Sequence, residues 1–449
     1  MQRLHISVLA FDGYITPAYT DLELSETMDK VMEQPLTFSP RQAMKYAQDL
    51  AQPRRAGSEG ERFTTEKITD SLQGFGYVVE QQSFQFIAAL HGWIRLELVL
   101  GSLLILALMM LRTISPWISL VPTILLLSLI FLVNRLHRWV QASSLLQGDH
   151  STLPPSVRIL SWLGPKIKAN NIVAFTPDNA DIENAPHLYL MAHYDSKSQT
   201  LPLPIRMSLF ALTILGCFSV TIVLILSIML PELDPLIPYF GWGSLLFGIP
   251  LIYMRISNDS PGAIDNASGV GLILHLAELL ATEEDLLHRL RVTFLFTAAE
   301  EEGLMGAQAY VAMNEPALRR QAQMGGVYIL NFDGVGARGG LLLDESSGKL
   351  RSAQSISLGD QVRNICSELN IPIGRFPPIG ALMDHAPFAH CGFDAISLAT
   401  TGQAVWSVHT RGDSAEKLHA KGFEQAGRVA LKLIEKMAHN GNSLGPEDN

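Results

Sequence analysis

Cysteine is scarce in this chain. The three present, Cys217, Cys366 and Cys391 in 449 residues, form no CxxC pair, and Cys217 lies in an apolar run, so no disulfide framework is indicated and a reducing compartment fits. Basic runs are also missing. Lys and Arg number 33 against 43 Asp and Glu, a formal charge of −10, which leaves no electrostatic footprint for nucleic acid. The N-terminus, MQRLHISVLAFDG, has one Arg and an apolar stretch of about six residues, short of the roughly 7 to 15 of a signal-peptide core. What the chain has in excess is apolar sequence. With 48% hydrophobic residues and a positive mean hydropathy it is too apolar for a purely soluble enzyme, so part of it is expected in a membrane.

Four uncharged stretches carry that excess, at 98–111, 113–134, 207–230 and 236–254. The last three are long enough to cross about 30 Å of hydrocarbon at ~1.5 Å per residue; the first spans only if residues 93–97 enter the interface with Arg95 snorkelling. They pair as two hairpins, 93–134 and 207–254, with tight connections at 112–116 and 231–235, so all the polar sequence shares one side. That side carries Arg95, Arg135, Arg138, Lys197, Arg206 and Arg255, whereas the turns offer Arg112 against Glu232 and Asp234. The charge bias predicts a four-span integral membrane protein with its polar domain in the cytoplasm. The later three spans hold no ionisable residue of the kind that marks a transport path.

With the hairpins set aside, strand-like and helix-like segments alternate. Helices are predicted at 41–51, 60–73, 269–282, 303–313, 359–369 and 415–438. Strands are predicted at YVVEQQSFQF, NIVAF, HLYLMAH, RVTFLFTAA, VYILNF and AISLATT. Several are apolar on both faces, which implies an α/β domain: a central mixed, mostly parallel sheet sandwiched by helices, with the hairpins inserted into it. Its segments are 35–87, 140–200 and 256–440, flanked by an N-terminal segment 1–34 and a tail 441–449.

Five potential metal ligands, His193, Asp265, Glu301, Asp333 and His409, each sit where a buried strand pattern runs out, the place where sites form in open α/β sheets. A period of two puts Asp195 on the same side as His193, where its carboxylate can fix the imidazole tautomer. Asp265 opens DNASG at a helix start, where exposed amides favour an anion and a carboxylate can bridge two cations. Three carboxylates, Glu300, Glu301 and Glu302, after one buried strand repel unless cations or solvent compensate. Taken singly, Asp265 also reads as a helix cap, the Glu run as a solvated helix start, Asp333 as a turn former and His409 as a surface histidine.

Taken together, HYD, DNASG, EEEGLMGA, NFDGVG, DHAPFAHCG and VHTRGDS make the chain resemble the co-catalytic di-zinc aminopeptidases, metallopeptidase family twenty-eight, over roughly 35–87 and 165–440. The resemblance implies a zinc exopeptidase fold and a cofactor of two zinc ions per chain. His193 and Asp333 would bind one, Glu301 and His409 the other, and Asp265 both. Glu300, the first Glu of Glu-Glu-x-Gly, would be the general base toward a water bridging the ions, with Asp195 as the other candidate catalytic residue. Asp384 and His385 match a segment near the family's active site and receive no metal role. The implied activity is membrane-bound aminopeptidase hydrolysis of peptides. The same fold also hosts carboxypeptidases, single-zinc glutaminyl cyclases and non-catalytic scaffold relatives. The hairpins depart from the soluble pattern: the second leaves close after Asp195 and rejoins close before Asp265, so the site is expected near the bilayer, with hydrophobic peptides as substrates or with the hairpins serving only as anchors.

Overall fold

The computed structural model describes residues 36–146, 155–176, 185–345, 357–376 and 383–440. The expected N-terminal segment 1–34 and tail 441–449 lie outside them. The chain divides into residues 1–37 and 38–449, and all that follows concerns the second unit.

Eleven strands are described: β1 (Val78–Ile87), β2 (Leu145–Leu146), β3 (Lys166–Phe175), β4 (His187–His193), β5 (Ser198–Gln199), β6 (Ile256–Ser257), β7 (Arg291–Thr297), β8 (Val327–Phe332), β9 (Leu341–Asp344), β10 (Ile373–Arg375) and β11 (Asp394–Thr400). Nine form one sheet in the order β10-β9-β11-β8-β4-β7-β3-β1-β2, and β5 pairs with β6 alone. The centre, β11-β8-β4-β7, is parallel, and the strands beyond β7 run antiparallel. β4 is buried at every position, as its unbroken apolar run HLYLMA requires of a strand covered on both faces.

Besides two short helices at Pro155–Leu160 and Glu284–Leu287, the described helices are α1 (Pro40–Leu50), α2 (Glu59–Gly74), α3 (Leu90–Arg112), α4 (Leu120–Ser144), α5 (Leu203–Ser227), α6 (Leu236–Ile252), α7 (Ser268–Leu280), α8 (Met305–Met324), α9 (Leu358–Glu368), α10 (His385–His390) and α11 (Ala420–Asn440). Alternation along β7 sorts them by face. Leu295 joins Tyr189, Met191 and Ile329 under Tyr310 of α8 and Phe388 of α10. Phe294 points the other way, its ring 5.1 Å from that of Tyr77, whose hydroxyl donates to the Ala277 carbonyl of α7. On that second face α1 and α7 touch through Gly271, where a β-carbon would lie 2.5 Å from the Ala47 amide nitrogen. Ser39 and Ser58 accept from the amides of Gln42 and Glu61 and so start α1 and α2.

Several predicted elements shift: β3 begins at Lys166, five residues before NIVAF, and α3 begins at Leu90, ahead of the uncharged stretch 98–111. Helix α8 begins at Met305, since residues 299–304 form a separate turn, and runs on through Pro316 to Met324. Helix α11 begins at Ala420, after a short 3-10 turn at Ala415–Lys417. The second apolar segment is helical from Leu120, because the loop around Pro116 takes up 113–119, and it continues past Asn134 to Ser144.

Helices α3 to α6 pack as two hairpins. Leu108, Val220, Leu224 and Ile237 form one shared cluster, Ile105, Leu126, Cys217 and Leu245 another, and Arg112 donates to Asp234 and to the Ser227 carbonyl at the turn end. Among the described residues five helical stretches are long and apolar enough to cross a membrane. In four, α3, α4, α5 and Pro231–Ile252, only 17 to 33% of the apolar window is buried by protein; in the fifth, Ala263–Leu280, 83% is, because it is a core element packed beside the sheet.

Candidate metal centre

The carboxyl end of β4 places His193 in the middle of the sheet, fully buried. Its Nε2 lies 3.1 Å from Asp265 Oδ1 and 3.6 Å from Asp333 Oδ1, and its Nδ1 lies 3.4 Å from Asp195 Oδ1. Asp333 follows β8, the neighbour of β4. Asp265 belongs to an irregular turn, Ala263–Ala267, that leads into α7. Two residues hold that turn. The Asp413 carboxylate accepts from the amides of Ile264 (2.8 Å) and Asp265 (3.2 Å), and Asn266 donates to the Phe332 carbonyl while accepting from the amides of Gly269 and Gly334. Arg54, fully buried, adds bonds to the carbonyls of Tyr194, Pro261 and Gly262, so the end of β4 and the Asp265 turn share one brace.

A second group lies on the other side of Asp265. His409 Nε2 is 2.9 Å from Asp265 Oδ2 and 3.1 Å from Glu301 Oε1. The two oxygens of one carboxylate therefore face two different imidazoles. Glu300 and Glu301 occupy a turn in which Ala299 and Leu304 hold left-handed φ of 56° and 61°, and His409 is left-handed too, at 61°. Each such non-glycine residue costs about 1–2 kcal/mol, so the turn needs external support. Asp195 supplies some, Oδ1 accepting from the Glu300 amide (3.0 Å) and Oδ2 from the Glu301 amide (3.3 Å).

The electrostatics of these groups are those of a cation site. Burial pushes the Asp265 carboxyl up, but the adjoining imidazoles of His193 and His409 outweigh it and hold it well below the usual range. Glu301, likewise opposed by burial, is held down to about 2 by His409 and Lys197. Burial raises Glu300 well above its ordinary value, with Glu301, Asp333 and Asp384 adding repulsion against the pull of His193. Both ring nitrogens of His193 and Oε1 of Glu301 are buried without a hydrogen-bond partner. Buried polar atoms of this kind are normally satisfied. His193, Asp265 and Asp333 form one group, and Asp265, Glu301 and His409 another, whose ligand atoms lie within 4.8 Å of one another. An imidazole and carboxylates around each position match the donor set of zinc.

All five sequence-predicted ligands converge, and Asp195 and Glu300 lie beside them. Asp384 and His385 fall outside both groups. Asp384 is buried, accepts from the Thr297 hydroxyl and is pushed up to about 7 by burial, while His385 Nδ1 lies 2.6 Å from Ser397 Oγ. Sequence reasoning passed over Asp413, although VHTRGDS contains it, and Lys197, read only as a basic flank residue. The Lys197 ammonium is buried instead, 2.8 Å from Glu301 Oε2 and donating to the Glu301 carbonyl (3.0 Å). Breaking a buried pair costs about 3–5 kcal/mol. Lys197→Met is expected to lower the Tm of chelator-treated protein by several degrees and that of metal-loaded protein by less, since a cation then takes over part of the Glu301 charge; equal shifts in both forms would remove Lys197 from the site.

Comparison with solved structures gives similarity to a Zn-dependent exopeptidase from Parabacteroides distasonis, at 15% identity and a TM-score of 0.50, covering 89% of this chain and 99% of that one. The zinc aminopeptidase BSAP from Bacillus subtilis is similar at 14% identity and TM-score 0.49, covering 93% and 98%. A glutaminyl cyclase from Porphyromonas gingivalis follows at 14% and 0.48, covering 89% and 98%. The first of these likenesses concerns the α/β fold, a large mixed sheet between helices. No curated protein matches the chain. The model of Peptidase family M28 matches residues 171–434, more than half of the chain and a range within which all five converging side chains fall, and the protein belongs to that family of metallopeptidases.

Proposed function

We propose that the chain is a membrane-bound zinc exopeptidase, an aminopeptidase that removes N-terminal residues from peptides. The observation that carries this reading is Asp265, whose two oxygens face His193 Nε2 at 3.1 Å and His409 Nε2 at 2.9 Å. His193 and Asp333 would hold one zinc ion, Glu301 and His409 a second, and Asp265 both. Zinc there supplies Lewis acidity, polarising the scissile carbonyl and acidifying water. The chain's own residues do the rest. Glu300, half-buried at the mouth of the turn, takes the proton from the attacking water and returns it to the leaving amine. Asp195, within 3.4 Å of His193 Nδ1, fixes that imidazole and, through the Glu300 and Glu301 amides, the base itself.

In the same reading helices α3 to α6 cross the bilayer as two hairpins. Their outward faces support it: Met110 and Phe131 are 70% exposed and Leu246 68%. Fifteen or more such side chains in water would be an aggregation surface, whereas in lipid they are at home. Arg95, Arg135, Arg138 and Arg255 lie at the domain end of the hairpins, a charge bias that supports a catalytic domain on the cytoplasmic side; Lys197 no longer counts toward that bias. Apolar peptides arriving along the membrane face are the substrates this placement favours.

The test is metal content of detergent-solubilised protein, followed by a panel of free and N-blocked peptides with and without chelator. Two zinc ions per chain and chelator-sensitive release of unblocked N-terminal residues are expected. One zinc with cyclisation of N-terminal glutamine would move the protein to the cyclase activity, and absence of both metal and turnover would leave a scaffold.

A further inference from the structure

The left-handed turn that carries Glu300 is held from outside the peptidase domain as well as from within it. His91, in the first turn of α3, has its Nε2 3.1 Å from the Glu301 carbonyl; a carbonyl only accepts, so this nitrogen carries the proton. Gln141, in the last turn of α4, donates from Nε2 to the Gly303 carbonyl at 3.2 Å. The two ends of the first hairpin thus close on successive parts of one turn. Gly303 makes the approach possible: a β-carbon there would lie 2.8 Å from Leu90 and 3.2 Å from Gln141 Nε2.

The second hairpin meets the other strained residue. Its two ends are joined by the β5–β6 pair, with Ser198 opposite Ser257 and Gln199 opposite Ile256. From β5 the Gln199 amide donates to the carbonyl of left-handed His409 (2.8 Å), and the Gln199 side-chain amide lies 3.1 Å from His409 Nδ1. Arg206, in the first turn of α5, donates to Gln199 Oε1 at 2.5 Å. At the far end Arg112 and Asp234 tie the hairpins to each other. Backbone in left-handed φ persists only where its surroundings over-determine it. At both strained places in this site part of those surroundings is a hairpin.

We propose that the two hairpins are positioning elements of the active site, with His91 and Gln141 holding the general-base turn and the β5–β6 neck holding His409, so that turnover follows the packing of the helix bundle in its bilayer. This rests on the reading of Glu300 as base and of α3 to α6 as membrane spans. A simple anchor would leave chemistry indifferent to these contacts. The coupling is energetic and local: if the hairpin neck shifts, each of the two carbonyls loses one of its two donors, keeping only Lys197 on Glu301 and Gln308 on Gly303, and the turn is then freer to relax out of the left-handed geometry that aims Glu300.

The test uses the full chain in lipid nanodiscs. His91→Leu and Gln141→Leu are each expected to lower kcat by about 10-fold or more, in the range of a misplaced acid–base group, with KM within about twofold and zinc content unchanged. His91→Gln, which restores an N–H donor, is expected to recover most of the loss. Independently of any substitution, wild-type kcat is expected to change at least about threefold between bilayers of short and long acyl chains at constant zinc content, because hydrophobic mismatch tilts and repacks the bundle. Wild-type kcat in the double Leu variant, or a kcat insensitive to acyl length, overturns the proposal. Glu300→Gln assayed in parallel separates the two failures: its inactivity beside a fully active double variant sinks the coupling alone, and its activity sinks the base.

Discussion

Glu300→Gln is expected to retain the full zinc complement and lose turnover by about 10³-fold, within the 10²–10⁴ that a positioned general base contributes. The substitution keeps side-chain volume and removes the basic oxygen. Nothing changes in the groups that could hold the metal, His193, Asp265 and Asp333 on one side and Asp265, Glu301 and His409 on the other. The turn also survives, because Asp195 holds it through the Glu300 and Glu301 amides, which the substitution leaves in place. Burial and the neighbouring carboxylates raise the Glu300 proton affinity. A base acts in its deprotonated form, so kcat/KM of the wild type should rise with pH as that proton leaves, and the variant should lack this acid limb. Zinc analysis with a pH profile decides it. A Glu300→Gln protein with wild-type kcat would sink the assignment, and one that loses zinc would make Glu300 a ligand.

Asp265→Asn should empty both positions at once. Each Asp265 oxygen faces a different imidazole, and an amide offers only one anionless oxygen where two acceptors are needed. Loss of an outer-shell partner alone weakens metal binding about 10–100-fold, so loss of the shared ligand should exceed about 100-fold at both positions and abolish activity. Asp333→Asn should weaken one position and Glu301→Gln the other. The turn itself is not at risk. Asp413 accepts from the backbone amides of residues 264 and 265, and Asn266 ties the turn to Phe332, so neither brace uses the Asp265 side chain. Mass-spectrometric zinc content after dialysis against a graded chelator series reads the result. Two retained ions in Asp265→Asn would falsify the bridge.

The sequence by itself determined the six longer strands, whereas β2, β5, β6, β9 and β10, of two to four residues each, carry too little apolar sequence to be read. HLYLMAH and VYILNF coincide with β4 and β8 because a strand buried on both faces is a mostly apolar run, and runs this short are arbitrated toward strand by their length. His193, Glu301 and Asp333 were legible for the same reason, since each comes after such a run; Asp265, in a turn beyond the two-residue β6, and His409, beyond a 3-10 turn after β11, were legible only through local contexts that repeat a family pattern. The hairpins were legible as length of uncharged sequence, though the second helix lay some residues later than its composition implied, since helical hydrogen bonding continues through Arg135 and His137 where hydropathy does not.

What only the tertiary structure decided was every relation between residues far apart in the chain. No local pattern records that Lys197 turns inward to Glu301, that Asp413 holds the amides before and at Asp265, or that Arg54 braces β4 against the turn at Gly262. A lysine beside an apolar helix reads as a basic flank residue until folding brings a buried carboxylate within 2.8 Å of it. The fifth apolar helix shows the same limit in reverse, since composition makes Ala263–Leu280 a span and packing makes it core. Side-chain type fixes what a residue can bind, but which charge or carbonyl it meets depends on a chain path that short-range patterns do not carry.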